Sequence, residues 1–152
     1  MKNIKLIKVN QPLYIGELAP DIQRYYKRIN IPGMTYESLY TYFVSVVQYG
    51  KETSEFWIAQ LDGETKAFAT WNIVPIPYVG TVECTHIHSW ARNRGVVKAF
   101  AEEYENFGKR NRCSFFKMTV VNPKVYTIFK DIAEEMGYEI IQDDCIRFIA
   151  RK

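Results

Sequence analysis

The chain has 152 residues, of which 47% are hydrophobic and 24% charged, with a formal net charge of +3. This length fits one domain, and no apolar run approaches the ~20 residues that span a bilayer. A charge of this size is too small by itself to indicate a nucleic-acid-binding protein. We therefore expect a single globular domain over residues 1–152, with no membrane segment and no nucleic-acid partner.

The cysteines are few and widely spaced. Cys84, Cys113 and Cys145 are an odd number, which favours reduced thiols over a disulfide framework. This pattern predicts a cytoplasmic protein.

The first fifty residues predict one strand and two helices. Ile4 and Leu6 alternate with lysines, as in a strand. Thr35 and Gly50 bound a second helix as its expected N-cap and stop. The apolar stripe of the first predicted helix is Ile22, Tyr25, Tyr26 and Ile29, and that of the second is Leu39, Tyr40, Phe43, Val46 and Val47.

A hairpin is predicted in the stretch "EFWIAQLDGETKAFATWNIV", where two aromatic and β-branched runs flank Asp62-Gly63. Pro75 and Pro77 are expected to end its second strand, leaving a loop at 75–80. "GTVECTHIHSW" then begins a fourth strand. Strict alternation along it places Glu83, Thr85 and Ile87 on one face and Cys84, His86 and His88 on the other.

The second half of the chain alternates between helices and strands. A helical apolar stripe begins after Gly95, a strand is expected over 114–121, and a helix over 124–136 is closed by Gly137. A terminal hairpin turns at Asp143-Asp144. The predicted order is β-α-α-β-β-β-α-β-α-β-β, an α/β chain with a mixed, partly parallel sheet.

This order, with the residues Arg92-Asn93-Arg94-Gly95-Val96-Val97, resembles the GCN5-related N-acetyltransferase (GNAT) family over essentially the whole chain. The family signature is Arg or Gln, two residues, Gly, one residue, then Gly or Ala, between the fourth strand and third helix. Its first four positions match here, and Val97 departs from the last. The resemblance implies a twisted mixed sheet of about seven strands flanked by four helices.

The resemblance also implies acetyl-CoA as co-substrate. Amides at a helix start offer hydrogen bonds and the positive end of the helix dipole to a pyrophosphate. By resemblance, the backbone of Arg94, Gly95, Val96 and Val97 binds the phosphates, with the Arg92 side chain near them. Asn122, after the fifth strand, stands where the family often has an Asn that contacts the cofactor.

Two catalytic roles follow for the side chains. A base must take a proton from the acceptor amine, and Glu83 and His86 on the fourth strand are the candidates. The family often uses a Tyr on the last helix to protonate the departing thiolate. The two ways of aligning that helix place Phe129 or Ala133 at this position, so Tyr126 is the candidate replacement.

Cys84, His86 and His88 also raise the possibility of a zinc site. Residues i and i+4 on a strand lie about 13 Å apart, which is too far for ligands of one tetrahedral zinc ion. No metal is expected.

The leading hypothesis is an acetyl-CoA-dependent N-acetyltransferase that transfers acetyl directly to a primary amine of a small molecule or peptide. The acceptor would be chosen by the first two helices and the 75–80 loop. The alternative is a non-catalytic GNAT-fold binding or assembly protein, for example a virion-associated one, with a protein partner or as a homodimer. It is motivated by Val97 together with Phe129 and Ala133 in place of the Tyr.

Overall fold

A mixed β-sheet runs through the molecule. The computed structural model describes residues 3–29, 31–76, 79–89, 93–119, 123–143 and 147–151. Within these ranges seven strands form one sheet in the order β1-β2-β3-β4-β5-β7-β6. The strands are β1 (Ile4–Lys8), β2 (Ser54–Leu61), β3 (Glu64–Ile76), β4 (Val79–Ser89), β5 (Phe115–Thr119), β6 (Glu139–Asp143) and β7 (Arg147–Arg151). The β4–β5 pair is parallel, and the other pairs are antiparallel.

The described residues form five helices, where four were predicted. They are α1 (Pro12–Glu17), α2 (Ala19–Ile29), α3 (Tyr36–Tyr49), α4 (Arg94–Arg110) and α5 (Pro123–Glu135). The additional helix is α1, which begins at Pro12, a residue suited to the first helical position because its missing amide costs nothing there. The Leu18 carbonyl accepts the amides of Asp21 and Ile22, so α2 starts at once in a new direction.

The helices cover the two faces of the sheet separately. Helices α1, α2 and α3 pack on one face of β1–β3, with Phe43, Phe56 and Phe68 at the centre of that cluster. Helices α4 and α5 pack on the other face, where Trp71 and Phe100 are among the buried side chains. None of the described helices combines the length and the apolar character that crossing a bilayer requires.

Local sequence signals correctly predicted three element boundaries. The Thr35 hydroxyl accepts the Ser38 amide, and the Ser38 hydroxyl accepts the Thr35 amide, so both ends of a capping box are present. Asp62 and Gly63 have φ values of 51° and 86°, as a tight hairpin turn with two left-handed residues requires. Gly137 closes α5 with a φ of 88°.

The prediction that Pro75 ends the third strand was wrong. Pro75 pairs with Gly80 and Ile76 pairs with Val79, so the predicted 75–80 loop is the end of a long β3–β4 hairpin. A proline can occupy a strand where its missing amide is not needed by the neighbouring strand. Pro77 lies outside the described residues.

The cysteine prediction is tested only at Cys113. Its thiol forms no disulfide and is buried, and this burial raises the pKa of the thiol. The side chain of Cys84 and the whole of Cys145 lie outside the described residues.

A buried carboxylate joins three strands to α4 at the C-terminal end of that helix. The Glu55 Oε1 atom accepts the indole N–H groups of Trp57 at 3.1 Å and Trp71 at 3.0 Å. Its Oε2 atom lies 2.9 Å from Lys8 Nζ and 3.3 Å from Arg110 Nη2. Only 3% of the Glu55 side chain is exposed. Residues of β1, β2, β3 and α4 therefore all contact the same buried carboxylate.

The substitution Glu55→Gln should therefore lower the free energy of unfolding by about 2–3 kcal/mol, because it removes a buried charge that two cations need. Urea unfolding followed by circular dichroism measures this change. The matched control is Glu64→Gln, which removes the Lys66 ion pair of a glutamate that is 74% exposed. The control should change stability by less than about 0.5 kcal/mol. Equal effects of the two substitutions would contradict the structural role of Glu55.

Candidate functional site

Strand β4 extends beyond its described pairing with β5. Their parallel pairing covers four residues of each strand, from Thr81↔Phe115 to Cys84↔Met118. Strand β4 continues to Ser89, and within the described ranges its residues after Cys84 pair with β3 alone. Within the described ranges, no strand pairs with the β5-facing edge of β4 after Cys84.

A β-bulge lies in β4 directly after its described pairing with β5 ends. Trp71 pairs with Cys84 while Thr70 pairs with His86, so Thr85 is an extra residue in β4. The predicted alternation is therefore wrong: Glu83 pairs with Asn72 and Ile87 with Ala69, which places Glu83 and Ile87 on opposite faces of the sheet. One inserted residue reverses the parity of every later position, and nothing in the apolar pattern of β4 indicates the insertion.

Glu83 lies in a row of polar residues on the face that carries α1–α3. Its neighbour on β5 is Lys117, whose Nζ is 3.8 Å from Glu83 Oε1, an ion pair that is too long for a hydrogen bond. Both side chains are half-buried. The backbone of the second base candidate, His86, is placed opposite Thr70, whereas the side chains of His86 and His88 lie outside the described residues.

The predicted phosphate turn is the start of α4, and its amides already have acceptors. Asn93 is the N-cap, and its Oδ1 accepts the Gly95 amide at 2.8 Å. The Asn93 carbonyl accepts the amides of Val96 at 3.1 Å and Val97 at 3.4 Å. The outward-pointing amide cluster expected from the sequence is thus capped by the chain itself. Arg92 and Asn122 lie outside the described residues.

Space, rather than backbone strain, explains the glycine in this turn. The left-handed glycines among the described residues are Gly33, Gly63 and Gly137, and Gly95 is not one of them. A Cβ atom on Gly95 would lie 3.0 Å from both Asn93 Oδ1 and Ile4 Cδ1. Gly95 therefore lets the helix start approach β1. Val97, the departure from the family signature, is buried in the core beneath α4.

The cations of the turn are paired with the end of α5. Arg94 Nη2 lies 2.7 Å from Glu135 Oε2, and Lys98 Nζ lies 3.4 Å from Glu135 Oε1. All three side chains are about half exposed, so water screens these contacts. The sequence gives no sign of Glu135, because it lies about 40 residues away along the chain and joins the turn only through the packing of α5 on α4.

The candidate acid, Tyr126, is engaged at the distal edge of the sheet. Its hydroxyl donates to Asp143 at the end of β6, and Asp143 also pairs with Lys130 at 2.7 Å. Two strands, β5 and β7, separate β6 from β4. Phe129 and Ala133, the alternative positions for a tyrosine, line a small apolar cavity between α4, α5 and β5.

Sequence reasoning missed Asn72. Its Nδ2 donates weakly to the Ile73 carbonyl at 3.4 Å, whereas its Oδ1 is enclosed by the protein and has no hydrogen-bond partner. Leaving such a group unpaired costs about 1–3 kcal/mol, so it needs an explanation. The only sequence signal is a polar residue inside the apolar run "FATWNIV".

Sequence comparisons return nothing: no family model matches the chain, and no curated protein does. Solved structures do match. A predicted acetyltransferase from Clostridium acetobutylicum, crystallised with acetyl-CoA, superimposes with a TM-score of 0.67 at 15% identity, covering 95% of this chain and 92% of that one.

Two further structures extend this likeness. The aminoglycoside N-acetyltransferase AAC(6')-Iy, in complex with the bisubstrate analogue CoA-S-monomethyl-acetylneamine, gives a TM-score of 0.66 at 18% identity, with 93% and 94% of the two chains covered. A GNAT-family acetyltransferase from Streptococcus pneumoniae gives 0.63 at 13% identity, with 99% and 98% covered. This chain has the fold of the GCN5-related N-acetyltransferases.

Proposed function

We propose that this protein is an acetyl-CoA-dependent N-acetyltransferase that transfers an acetyl group to a primary amine by direct attack. The observation that carries the proposal is that β4 runs on to Ser89 after its described pairing with β5 ends at Cys84↔Met118, and we propose that a gap between the two strands opens there. Similar structures hold acetyl-CoA or a CoA-linked analogue, which supports the same co-substrate here.

In this proposal the turn at the start of α4 binds the CoA pyrophosphate. The Gly95 amide would donate to a phosphate oxygen, with Arg94 and Arg92 as the nearby cations. The amides of Val96 and Val97 are the other predicted donors, and they would have to give up or share their present bonds to the Asn93 carbonyl. Asn93 Oδ1 now accepts the Gly95 amide, and rotation of that side chain exposes the donor. Glu135 must likewise share Arg94 and Lys98 with the phosphates. Asn122 is proposed as a further cofactor contact.

The two substrates would approach from opposite faces of the sheet. Helix α4 packs on the face that contains Trp71 and Ala69, whereas Glu83 lies on the face covered by α1–α3. Acetyl-CoA supplies the activated acetyl thioester, and the edge of β4 after Thr85 is proposed to orient its carbonyl oxygen. The acceptor amine then reaches the gap from the α1–α3 side.

Glu83 is the base that we propose for the transfer. The amine nitrogen forms the new bond to the acetyl carbon, the carbon–sulfur bond breaks, and the amine proton passes to the Glu83 carboxylate, either directly or through water. His86 is the other candidate for this proton. Tyr126 is the predicted source of a proton for the leaving thiolate, and its hydroxyl would first have to leave Asp143.

Glu83→Gln should lower kcat by about 100- to 10,000-fold, because general-base catalysis contributes that much, and should leave the acetyl-CoA Kd unchanged. Calorimetry with acetyl-CoA and a free-thiol assay with a panel of primary amines measure the two quantities. Glu102→Gln, on the exposed face of α4, is the matched control and should retain full activity. If the wild-type protein did not bind millimolar acetyl-CoA, the proposed function would be wrong.

The second candidate function is a GNAT-fold protein that has lost the chemistry and serves in binding or assembly. The observation in its favour is the self-capped turn, in which Asn93 and Glu135 hold the groups that a phosphate would use. In that case the cap is a permanent part of the fold. In the catalytic case the cap competes with the cofactor.

Replacement of the cap separates the two functions. Asn93→Gly removes the competing oxygen at a cost of only a few tenths of a kcal/mol to the helix, since glycine is an acceptable N-cap. For an acetyltransferase we expect the acetyl-CoA Kd, measured by calorimetry, to fall roughly 3- to 10-fold, the value of about one hydrogen bond. Asn111→Gly, at the other end of α4, is the control and should leave the Kd unchanged. Failure of both wild-type and Asn93→Gly proteins to bind would favour the assembly function.

A further inference from the structure

Asn72 is the one buried side-chain polar atom without a partner that we find in the described part of the chain, at its Oδ1. Native structures contain few such atoms, and each one calls for a ligand, a water or a functional reason. Nδ2 of the same amide donates to the Ile73 carbonyl at 3.4 Å. The Asn72 Oδ1 atom can accept a hydrogen bond, and no described donor supplies one.

Its surroundings on the sheet are polar and charged. Asn72 pairs with Glu83 on β4, and Glu83 pairs with Lys117 on β5, so the three residues form a row across neighbouring strands. Cβ atoms of directly paired residues lie about 5 Å apart on the same face. The amide oxygen and the Glu83 carboxylate are therefore two hydrogen-bond acceptors within reach of one small group.

The row of Asn72, Glu83 and Lys117 also lies where the packing of α1–α3 on the sheet ends. Ser54, the β2 partner of Asn72, lies against Gly50 at the end of α3. The apolar cluster beneath α1–α3 reaches Phe56 and Phe68, which lie two and four register pairs along from this position. Asn72 consequently sits at the border between the part of the sheet that α1–α3 bury and the β4–β5 region beside the proposed gap.

A protonated primary amine fits this pair of acceptors. It carries up to three N–H donors, and it must be held beside a base before it can lose a proton and attack. Lys117 already places an ammonium group 3.8 Å from Glu83, so the carboxylate is compatible with a cation at this distance. The Asn72 oxygen is already removed from solvent, so it loses no water when it accepts a hydrogen bond, whereas the amine must be dehydrated and the side chains that enclose the oxygen must move aside.

We propose that Asn72 binds the acceptor amine, its Oδ1 accepting a hydrogen bond from a protonated primary amine that lies against Glu83. This inference rests on the proposed acetyltransferase function and adds a specificity-determining residue on β3 to the site. It assigns the substrate class as amines that are positively charged when they bind. Asn72 takes no part in proton transfer; it positions the nitrogen between itself and the base.

Asn72→Leu tests this role, because leucine has nearly the same volume and no polar atom. We expect the KM for the amine to rise about 10- to 100-fold, the effect of losing one hydrogen bond to a charged group. The kcat and the acetyl-CoA Kd should change by less than about threefold. The melting temperature should stay equal or rise, since the substitution removes an unpaired buried oxygen. Asn72→Asp keeps an acceptor oxygen in place and should restore the amine KM.

The full-length wild-type protein is first assayed with three amines: an aminoglycoside, a diamine and an alanyl peptide. The amine that it acetylates fastest is then used to measure KM in the variants. Asn106→Leu, an exposed asparagine of α4, is the matched control and should alter neither KM nor stability. An unchanged amine KM in Asn72→Leu would overturn this inference while leaving the acetyltransferase function intact. If Asn72→Leu instead lowered the melting temperature and kcat and also raised KM, the role of Asn72 would be purely structural, and the inference would be wrong. Absence of acetyl-CoA binding by wild type would overturn the proposed function, and this inference with it.

Discussion

The short parallel contact between β4 and β5 determines the arrangement of the rest of the molecule. Parallel neighbours cannot be joined by a tight turn, so the chain must cross over the sheet, and α4 provides that crossing. The described pairing ends at Cys84↔Met118, and β4 runs on to Ser89 before α4 begins at Arg94. The bulge at Thr85 lies at the same level and directs the last part of β4. The end of the pairing, the bulge and Glu83 therefore lie within three residues of one another on β4.

The C-terminal end of α4 lies at a buried cluster of charged and polar side chains. There Arg110 contacts Glu55, which also accepts from Trp71 and binds Lys8, so three strands and the helix are fixed around one buried charge. Such a cluster is rigid because each donor depends on the same two oxygens. The C-terminal end of α4 is thus tied to the sheet through a buried carboxylate, whereas the charged side chains at its N-terminal end pair with the half-exposed Glu135. This division suits a site that must open for a ligand without disturbing the core.

Features that depend on neighbours in sequence were predictable, and those that depend on neighbours in space were not. The Thr35 cap and the Asp62-Gly63 turn follow from local backbone chemistry, and both were predicted correctly. The order of elements was enough to indicate the fold. The extra residue at Thr85 leaves no trace in the apolar pattern, although it decides which face Glu83 shares. The pairing of Arg94 with Glu135 needs the packing of two helices, and the unpaired oxygen of Asn72 appears only when every donor around it is known.

The cap that Asn93 forms on α4 affects the protein without ligand as well as its binding of a ligand. A helix whose first amides wait for a phosphate would fray whenever the phosphate departs, because those donors would have only water as acceptor. The side chain of Asn93 is tethered two residues from the Gly95 amide, and it can return within the picoseconds to nanoseconds of a side-chain rotation. The helix start would then be capped at every moment of a turnover cycle, first by the chain and then by the substrate. The first turn of α4 would keep its shape between successive cofactor molecules, and no part of the binding energy would be spent on refolding it.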